Sequence, residues 1–457
     1  MHSSNRSAVT ARKPHVVFVS YYFPPMGGGG VQRTLKFLKF SDPLRVKLSV
    51  VTVKPSYFYA DDPTLAADLP ANVQVIRSGS LDPFRLIYLF RTLLPKKTPD
   101  TTKKNRESGG KIREIVSKIF VPDSRLLWLP FALSAIRRLH RQQPVDAIIA
   151  TLPPFTAGLV GIFAGKFSQI PVVLDYRDGW SKNPYLPKTG ALQRWLNGKL
   201  EQFCLNNAAG VIFVNPELER DYVDRFSQFE QTPHLTIRNG YDPQDFEHLP
   251  QSETSSQQKQ PMEIGVMGTI YSQGNCPETL LKAISELKQQ DEKLPEKLQL
   301  TFLGKWTAEF ELQVSEMGLD DIVRWEKYRP HREALLRAAQ FDALALAVDS
   351  RIPGSRQLTP GRIYEYLALR RPILAMCPVE GDLAHLVKSA KAGEIIEFTD
   401  VAAIKQCILD WLENHPQHTG KYLIQHVGNY SRASLTKQLW AFLADKIGLF
   451  VNKNAAG

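Results

Sequence analysis

The chain has 457 residues, 43% of them hydrophobic and 23% charged, which is too long for one ordinary core and suits two or three folded domains. That balance excludes the disordered, collagen-like and disulfide-scaffold classes. The net charge of +11 hides an asymmetry: residues 1–200 hold 30 Lys and Arg against 12 Asp and Glu, and the remainder holds 27 against 34.

A basic first half is expected to meet something anionic: nucleic acid, anionic lipid or a phosphorylated small molecule. A solvated basic face without a partner is the plainer alternative. No nucleic-acid module is recognisable, so nucleic acid is not expected as a partner. Cys204, Cys276, Cys377 and Cys407 are widely separated and form no C-x-x-C, so neither a disulfide framework nor a zinc site is expected. The ten histidines show no metal spacing, and His415 and His418 read as surface residues. The N-terminal stretch is basic and lacks the apolar core of a signal peptide. The longest apolar run, 126–136, falls short of the roughly 17 to 25 residues needed to cross a bilayer. A reducing, cytoplasmic setting follows as the expectation.

In chain order, near-continuous Val/Ile/Leu runs at 15–20, 46–53, 73–77, 145–151, 171–175 and 210–214 read as strands, separated by helical periodicity as at 31–40 and 131–142. Strands apolar on both faces belong in a parallel sheet covered by helices. A polar stretch after Pro250 reads as a loop between domains, and the α/β pattern then restarts. Strands are expected at 263–268, 298–303, 322–325, 342–348, 373–376 and 394–398, with helices at 277–289, 331–340 and 360–369. Two α/β halves of similar size result.

Three segments carry candidate chemistry. Gly27-Gly28-Gly29-Gly30 follows the first strand and opens a helix. Glycines let backbone approach a ligand closely, and a helix N-terminus favours an anion such as phosphate. A flexible strand-to-helix turn is the structural alternative. The Lys of a P-loop is absent, and so are the third glycine and the strand-two acid of a dinucleotide site. Asp175, Arg177 and Asp178 end the fifth strand, at the sheet edge where ligands bind in open α/β folds. They either position a hydroxyl and balance developing charge or form an ion cluster pinning the loop. Asp175 and Asp178 are three apart, so no D-x-D metal motif exists. Thr359, read as a helix N-cap, precedes Pro360, Gly361, Arg362 and Glu365. Glu365 either pairs with Arg362 or accepts hydrogen bonds from a ligand diol.

The segments FPPMGGGGVQR, IPVVLDYRDGWSKNP, IRNGYDPQDF and LTPGRIYEYLALRRPILA, in this order and spacing, resemble glycosyltransferase family 4. These are retaining, nucleotide-sugar-dependent enzymes of the GT-B fold, with bacterial polysaccharide-building members the nearest in kind. The resemblance spans roughly residues 14 to 446. It implies two Rossmann-like domains with parallel sheets facing across a cleft. The expected division is a flexible 1–13, an acceptor domain over 14–240 with a basic insertion at 81–125, a linker at 241–261, a donor domain over 262–425, and a C-terminal segment, 426–457, returning to the first domain.

The resemblance places Gly28, Gly29 and Gly30 beside the donor diphosphate, Thr359 to Gly361 facing it, and Glu365 on the nucleotide ribose. It implies Arg177, Asp178 and Asp175 as catalytic residues, a nucleoside diphosphate sugar as donor, a glycan or polyprenyl-linked acceptor, and no metal or other cofactor. Three departures stand out. Gln357 replaces a frequent Glu, Arg177 stands where many relatives carry His, and the stretch after the strand at 263–268, including Thr269, lacks the usual Arg and Lys. Lys305, Arg329 and Arg362 are the expected substitutes. A catalytically degenerate sugar-nucleotide scaffold is the alternative reading. Finally, 81–125 combines 11 basic and 5 acidic residues with Phe84, Leu86, Ile87, Leu89, Phe90 and Leu93. Such an amphipathic segment suits an anionic membrane surface, expected as the inner face of the plasma membrane, or packs over the N-terminal domain.

Overall fold

The computed structural model describes residues 12–55, 62–83, 119–181, 190–249, 261–270, 274–417 and 420–450. Most of the basic insertion, 84–118, lies outside them.

The first sheet holds β1 (His15–Val19), β2 (Lys47–Val53), β3 (Gln74–Ser78), β4 (Ala147–Leu152), β5 (Val172–Tyr176), β6 (Gly210–Phe213) and β7 (His234–Thr236), in the order β3-β2-β1-β4-β5-β6-β7. Every pairing is parallel. Helices α1 (Gly29–Lys39), α2 (Leu129–Gln142), α3 (Thr156–Ser168), α4 (Ala191–Asn206) and α5 (Pro216–Arg225) connect them. Successive side chains of a strand point to opposite faces. Val17 and Val19 therefore enter a core with residues of α2 to α5, while Val16 and Phe18 enter another with Phe37 and Leu38 of α1.

The second sheet holds β8 (Met262–Thr269), β9 (Leu298–Lys305), β10 (Val323–Lys327), β11 (Ala343–Ala347), β12 (Ile373–Met376) and β13 (Gly393–Ile396), ordered β10-β9-β8-β11-β12-β13 and again parallel throughout. Its helices are α6 (Glu278–Gln290), α7 (Ala308–Glu316), α8 (His331–Ala338), α9 (Arg362–Leu369), α10 (Asp382–Ser389) and α11 (Val401–Glu413), with a single turn at Leu294–Lys297. They cover both faces in the same way.

Residues 432–447 form α12 (Arg432–Ile447), and its Leu435, Leu439, Phe442 and Leu443 pack on the first sheet beside α1. The chain thus passes from the first lobe to the second near 237–245 and comes back through 430–432. The two crossings touch: Tyr241 and Ser431 form a parallel bridge, and Arg432 N donates to the Tyr241 carbonyl at 2.8 Å. The stretch expected as linker is not loose at its start, because Tyr241, Phe246 and Leu249 pack against the second lobe's core. Asp242 is buried and bound by Lys36 and Lys39 of α1.

In each sheet the strand order reverses direction once, between β1 and β4 and between β8 and β11. Those switch points open a crevice at the C-terminal strand ends, where open α/β sheets bind ligands. All four cysteines are free thiols, three of them buried. His415 is not a surface residue: its side chain is largely buried, 3.3 Å from Asp342. No helix among the described residues is long and apolar enough to cross a membrane.

Candidate functional site

The first wall of the cleft is built on β1 and β5. After β1 the chain turns through Gly28, whose φ of +99° is a conformation that L side chains rarely adopt, and α1 begins at Gly29. A side chain at Gly28 or Gly29 would meet nothing within 4 Å. The helix entrance therefore faces open space, and its first N–H groups have no intrahelical acceptor. Gly30 is a close approach instead: a Cβ there would lie 2.7 Å from Nη1 of Arg177. Arg177 follows β5 and folds back under the glycine turn, donating to the Pro153 carbonyl after β4, while its Nε is buried without a partner. Burial lowers the Arg177 pKa against the attraction of Asp178 and Asp175.

Asp178 is the accessible carboxylate of this wall. Surrounding protein displaces enough bulk water to push its pKa up to about 6, with the Arg177 charge opposing the rise. Asp175 has a different fate from the catalytic one expected. It is bound by Arg33 through Nε at 2.9 Å and Nη2 at 2.7 Å, and it accepts from Thr151 Oγ1 at 3.2 Å. Both partners of the ion pair are 1% exposed. Asp175 thus positions α1 and does not face the cleft; the cluster foreseen for this loop exists, but its cation is Arg33. The loop is anchored further by Trp180 N donating to the Tyr222 hydroxyl at 2.9 Å, with Tyr222 in turn bound to the buried Glu201.

The second wall rises from the ends of β8, β9 and β11. Arg362, opening α9, donates to the Met267 carbonyl and packs 3.2 Å from where a Gly268 Cβ would stand. That places a guanidinium against Gly268 and Thr269, where the sequence itself has no cation. Lys305 ends β9 exposed, its amine 4.8 Å from the Tyr328 ring centre. Arg329 is paired with Glu326 at 2.6 Å beside the edge strand β10, whereas the Arg362 guanidinium reaches the β8 carbonyls. Thr359 is not an N-cap. Helix α9 starts later, at Arg362 after Gly361, and the Thr359 hydroxyl donates to Asp382. Asp382 also receives both Arg238 Nη atoms, at 2.6 and 2.7 Å. Gly361 is exposed and open.

Glu365 is one quarter exposed, and its neighbour is not Arg362 but His331, at 3.7 Å. His331 Nε2 is also 3.4 Å from Asp245. Burial raises the Glu365 pKa, and the His331 charge opposes it. Burial works against the His331 charge as well, but the Asp245 hydrogen bond and the Glu365 and Asp245 charges outweigh it and raise its pKa. The walls meet where Asn215 Nδ2 of the first lobe donates to the Gln357 carbonyl of the second at 2.8 Å. Among the described residues, no three His, Cys, Asp or Glu side chains are grouped to hold a metal.

Residues 90–240 match the model of the glycosyl transferase 4-like domain, and residues 261–414 match that of glycosyl transferases group 1. Together the two matches take in about two thirds of the chain. The chain is a GT-B glycosyltransferase of the family 4 type.

Its fold is similar to that of sucrose-phosphate synthase from Thermosynechococcus elongatus, at 15% identity and a TM-score of 0.61 over 95% of this chain and 100% of that one. It is similar too to WaaG, a glycosyltransferase involved in lipopolysaccharide biosynthesis, at 13% identity and a TM-score of 0.54 over 96% and 100%. For S. aureus TarM the values are 10% and 0.57 over 94% and 99%. No curated protein sequence matches the chain.

Sequence reasoning missed Arg33, His331, Asp245 and Arg432 in this glycosyltransferase. Arg33 had a visible signal, since it stands four residues after Gly29 on the face of α1 that returns to the glycine turn. The Arg33–Asp175 pair generates a stability prediction. Asp175→Ala strands a buried guanidinium and is expected to cost about 3 to 5 kcal/mol in chemical denaturation. Combining it with Arg33→Met should cost clearly less than the sum of the two single changes. Strict additivity would mean that the pair is not coupled.

Proposed function

We propose that the enzyme transfers a glycosyl group from a nucleoside diphosphate sugar to a glycan or lipid-linked saccharide acceptor, with retention at the anomeric carbon, in cell-surface or exopolysaccharide assembly. What each lobe offers supports this reading: an open glycine turn above Arg177 in the first, Arg362 against the β8 turn and the part-exposed Glu365 in the second, with the lobes in contact through Asn215 and Gln357. The solved structure of TarM contains UDP and α-GlcNAc-glycerol, and WaaG acts in lipopolysaccharide biosynthesis, which supports a nucleotide donor and a saccharide acceptor.

In this reading Glu365 accepts hydrogen bonds from the ribose hydroxyls. Gly28 and Gly29 present backbone N–H groups and the positive end of α1 to the diphosphate. Arg362 adds a cation beside the β8 turn. As the bond to the sugar breaks, negative charge grows on the leaving diphosphate, and these donors oppose it more strongly than they oppose the ground state. Side chains and helix ends, not a metal ion, meet that charge. Front-face attack assisted by the leaving phosphate needs no carboxylate nucleophile. Asp178 accepts the acceptor's hydroxyl proton, directly or through the leaving group, and Arg177 holds the loop beneath Gly30. Lys305, Arg329, Thr359 and Gly361 are left as outer contributors to the donor site. The basic segment 81–118 would bring the enzyme to an anionic membrane carrying a lipid-linked acceptor.

Screening UDP-, GDP-, ADP- and dTDP-sugars by thermal shift and then by product detection tests the proposal. Binding without turnover on any acceptor would favour a degenerate scaffold. With the donor found, Glu365→Ala is expected to weaken it by about 1.5 to 3 kcal/mol in calorimetry, through loss of charge-assisted hydrogen bonds. Unchanged affinity would remove the ribose role.

The raised Asp178 pKa sets a pH dependence. The carboxylate is depleted below about pH 6, so kcat/KM should climb with pH up to that point and level off above it. Asp178→Asn should abolish the climb along with most turnover, and a profile that keeps it assigns the titration elsewhere.

Neutralising Arg85, Arg91, Lys96 and Lys97 should reduce pelleting with anionic vesicles while leaving donor binding intact. Each basic residue near such a surface contributes about 1 kcal/mol. Equal pelleting of wild type and variant at low salt would assign the segment to the N-terminal domain alone.

A further inference from the structure

We propose that Arg432, at the start of the returning helix, is an anion-binding residue of the cleft floor that takes the diphosphate of the nucleotide donor. The inference rests on the nucleotide-sugar reading above and adds to it a residue from a third element, outside both Rossmann-like cores.

Arg432 is 7% exposed. Its backbone is fixed by the crossing strand, since its N–H donates to the Tyr241 carbonyl and the adjacent Ser431 bridges Tyr241. Its guanidinium has no hydrogen-bond or ion-pair partner among the described residues, and Nη1 is buried with nothing to donate to. Arg33, buried to a similar degree, holds Asp175, and the partly buried Arg238 and Arg225 hold Asp382 and Asp221. Arg77, Arg177 and Arg371 each leave one buried nitrogen unserved but donate to a carbonyl through another. The nearby acids are already engaged. Asp242 is bound by Lys36 and Lys39, and Glu365 faces His331. Arg33 contributes like-charge repulsion. Burial first, and then Arg33, lower the Arg432 pKa to about 10, against the attraction of Tyr364, Glu365 and Asp242.

A buried cation without a counter-charge is unfavourable in the empty protein and becomes favourable when an anion arrives. Two positions tie that anion to the donor. Arg432 feels the charge of Glu365, the ribose-side residue of the second lobe, and that of Arg33, one turn into the helix opened by Gly29 and Gly30. Those two charges belong to the elements that carry the ribose-side and the diphosphate-side residues in the nucleotide-sugar reading. A guanidinium fork matches phosphate oxygens in geometry as well as in charge. Arg432 thereby adds a second cation to the one that Arg362 brings to the turn after β8.

The test compares wild type, Arg432→Gln and Arg432→Lys. Thermal shift with UDP, GDP, ADP and dTDP identifies the nucleotide, and calorimetry then measures that diphosphate and its parent nucleoside on each protein. The expected result for Arg432→Gln is at least a tenfold loss of diphosphate affinity, unchanged nucleoside affinity, and a ligand-free melting temperature equal to or above that of wild type. Arg432→Lys should keep part of the diphosphate affinity.

Diphosphate binding equal to wild type overturns the inference, as does equal weakening of diphosphate and nucleoside, or a lower ligand-free melting temperature with diphosphate affinity intact. If the Gln variant does not fold, the Lys variant decides. It should lose diphosphate affinity and keep nucleoside affinity, and failure to do so overturns the inference. A wild type that binds none of the four diphosphates overturns the nucleotide-sugar reading itself and this inference with it.

Discussion

The cleft is held in shape by the ion pair between Arg33 and Asp175. Arg33 stands in the first turns of α1 and Asp175 at the end of β5, so the pair locks the helix that the glycine turn opens to the strand that carries Arg177 and Asp178. Its remaining Nη1 donates to the Arg238 carbonyl at 3.1 Å and reaches Asn239, which joins the start of the interlobe crossing to the same point. With both groups withdrawn from water, the pair gains little net stability over an apolar substitute, while breaking it is expensive. What it confers is geometry: glycine turn, loop after β5 and crossing strand share one reference point.

The second lobe is oriented by a chain of similar contacts. Arg238 clamps Asp382 at the start of α10, and Asp382 accepts the Thr359 hydroxyl, so the crossing segment fixes the loop that leads to Arg362 and Glu365. On the far side Lys36 and Lys39 of α1 hold Asp242 together with Asp68. Charges of the first lobe therefore reach the second through short, buried, hydrogen-bonded steps. The position of Glu365 relative to the first lobe follows from those steps and from the tightly paired crossings at Tyr241 and Ser431.

The fold was legible in the sequence because a parallel sheet covered on both faces writes itself as near-continuous apolar runs. Strands expected at 46–53, 298–303 and 342–348 fall within two residues of β2, β9 and β11. Strand β7 was not foreseen: its three residues are half-buried at the sheet edge and carry no apolar run. The site was legible only where chemistry was local in sequence. Gly28 to Gly30 and Arg362 to Glu365 announce themselves as helix entrances, whereas Arg33 and Asp175 lie 142 positions apart and nothing in spacing pairs them. The same limit explains why α9 departs from its local reading. Arg362 looks like the natural partner of Glu365, but it reaches back to the Met267 carbonyl, and Glu365 is left to His331 from another helix. Thr359 has the composition of an N-cap, yet Asp382 takes its hydroxyl and the helix begins later.

Some of the polar groups that the structure leaves unserved belong to the residues assigned to the cleft. Arg177 Nε and Arg432 Nη1 are buried donors without acceptors, and Glu365 is a carboxylate whose ionised form burial disfavours. Left alone, each raises the free energy of the empty protein. A core selected for stability alone would pair such groups, as Arg33 and Asp175 are paired. Keeping cations and acids apart on a framework braced by fully satisfied ion pairs preserves donors and acceptors for a ligand that brings both charge and hydroxyls. The braced framework also means that few of them must reorganise when charge develops on a leaving group, and fixed dipoles that need no reorganisation are the ones that lower a barrier. In this molecule the unserved donors of Arg177 and Arg432 and the rigidity of the Arg33–Asp175 lock are two consequences of one arrangement.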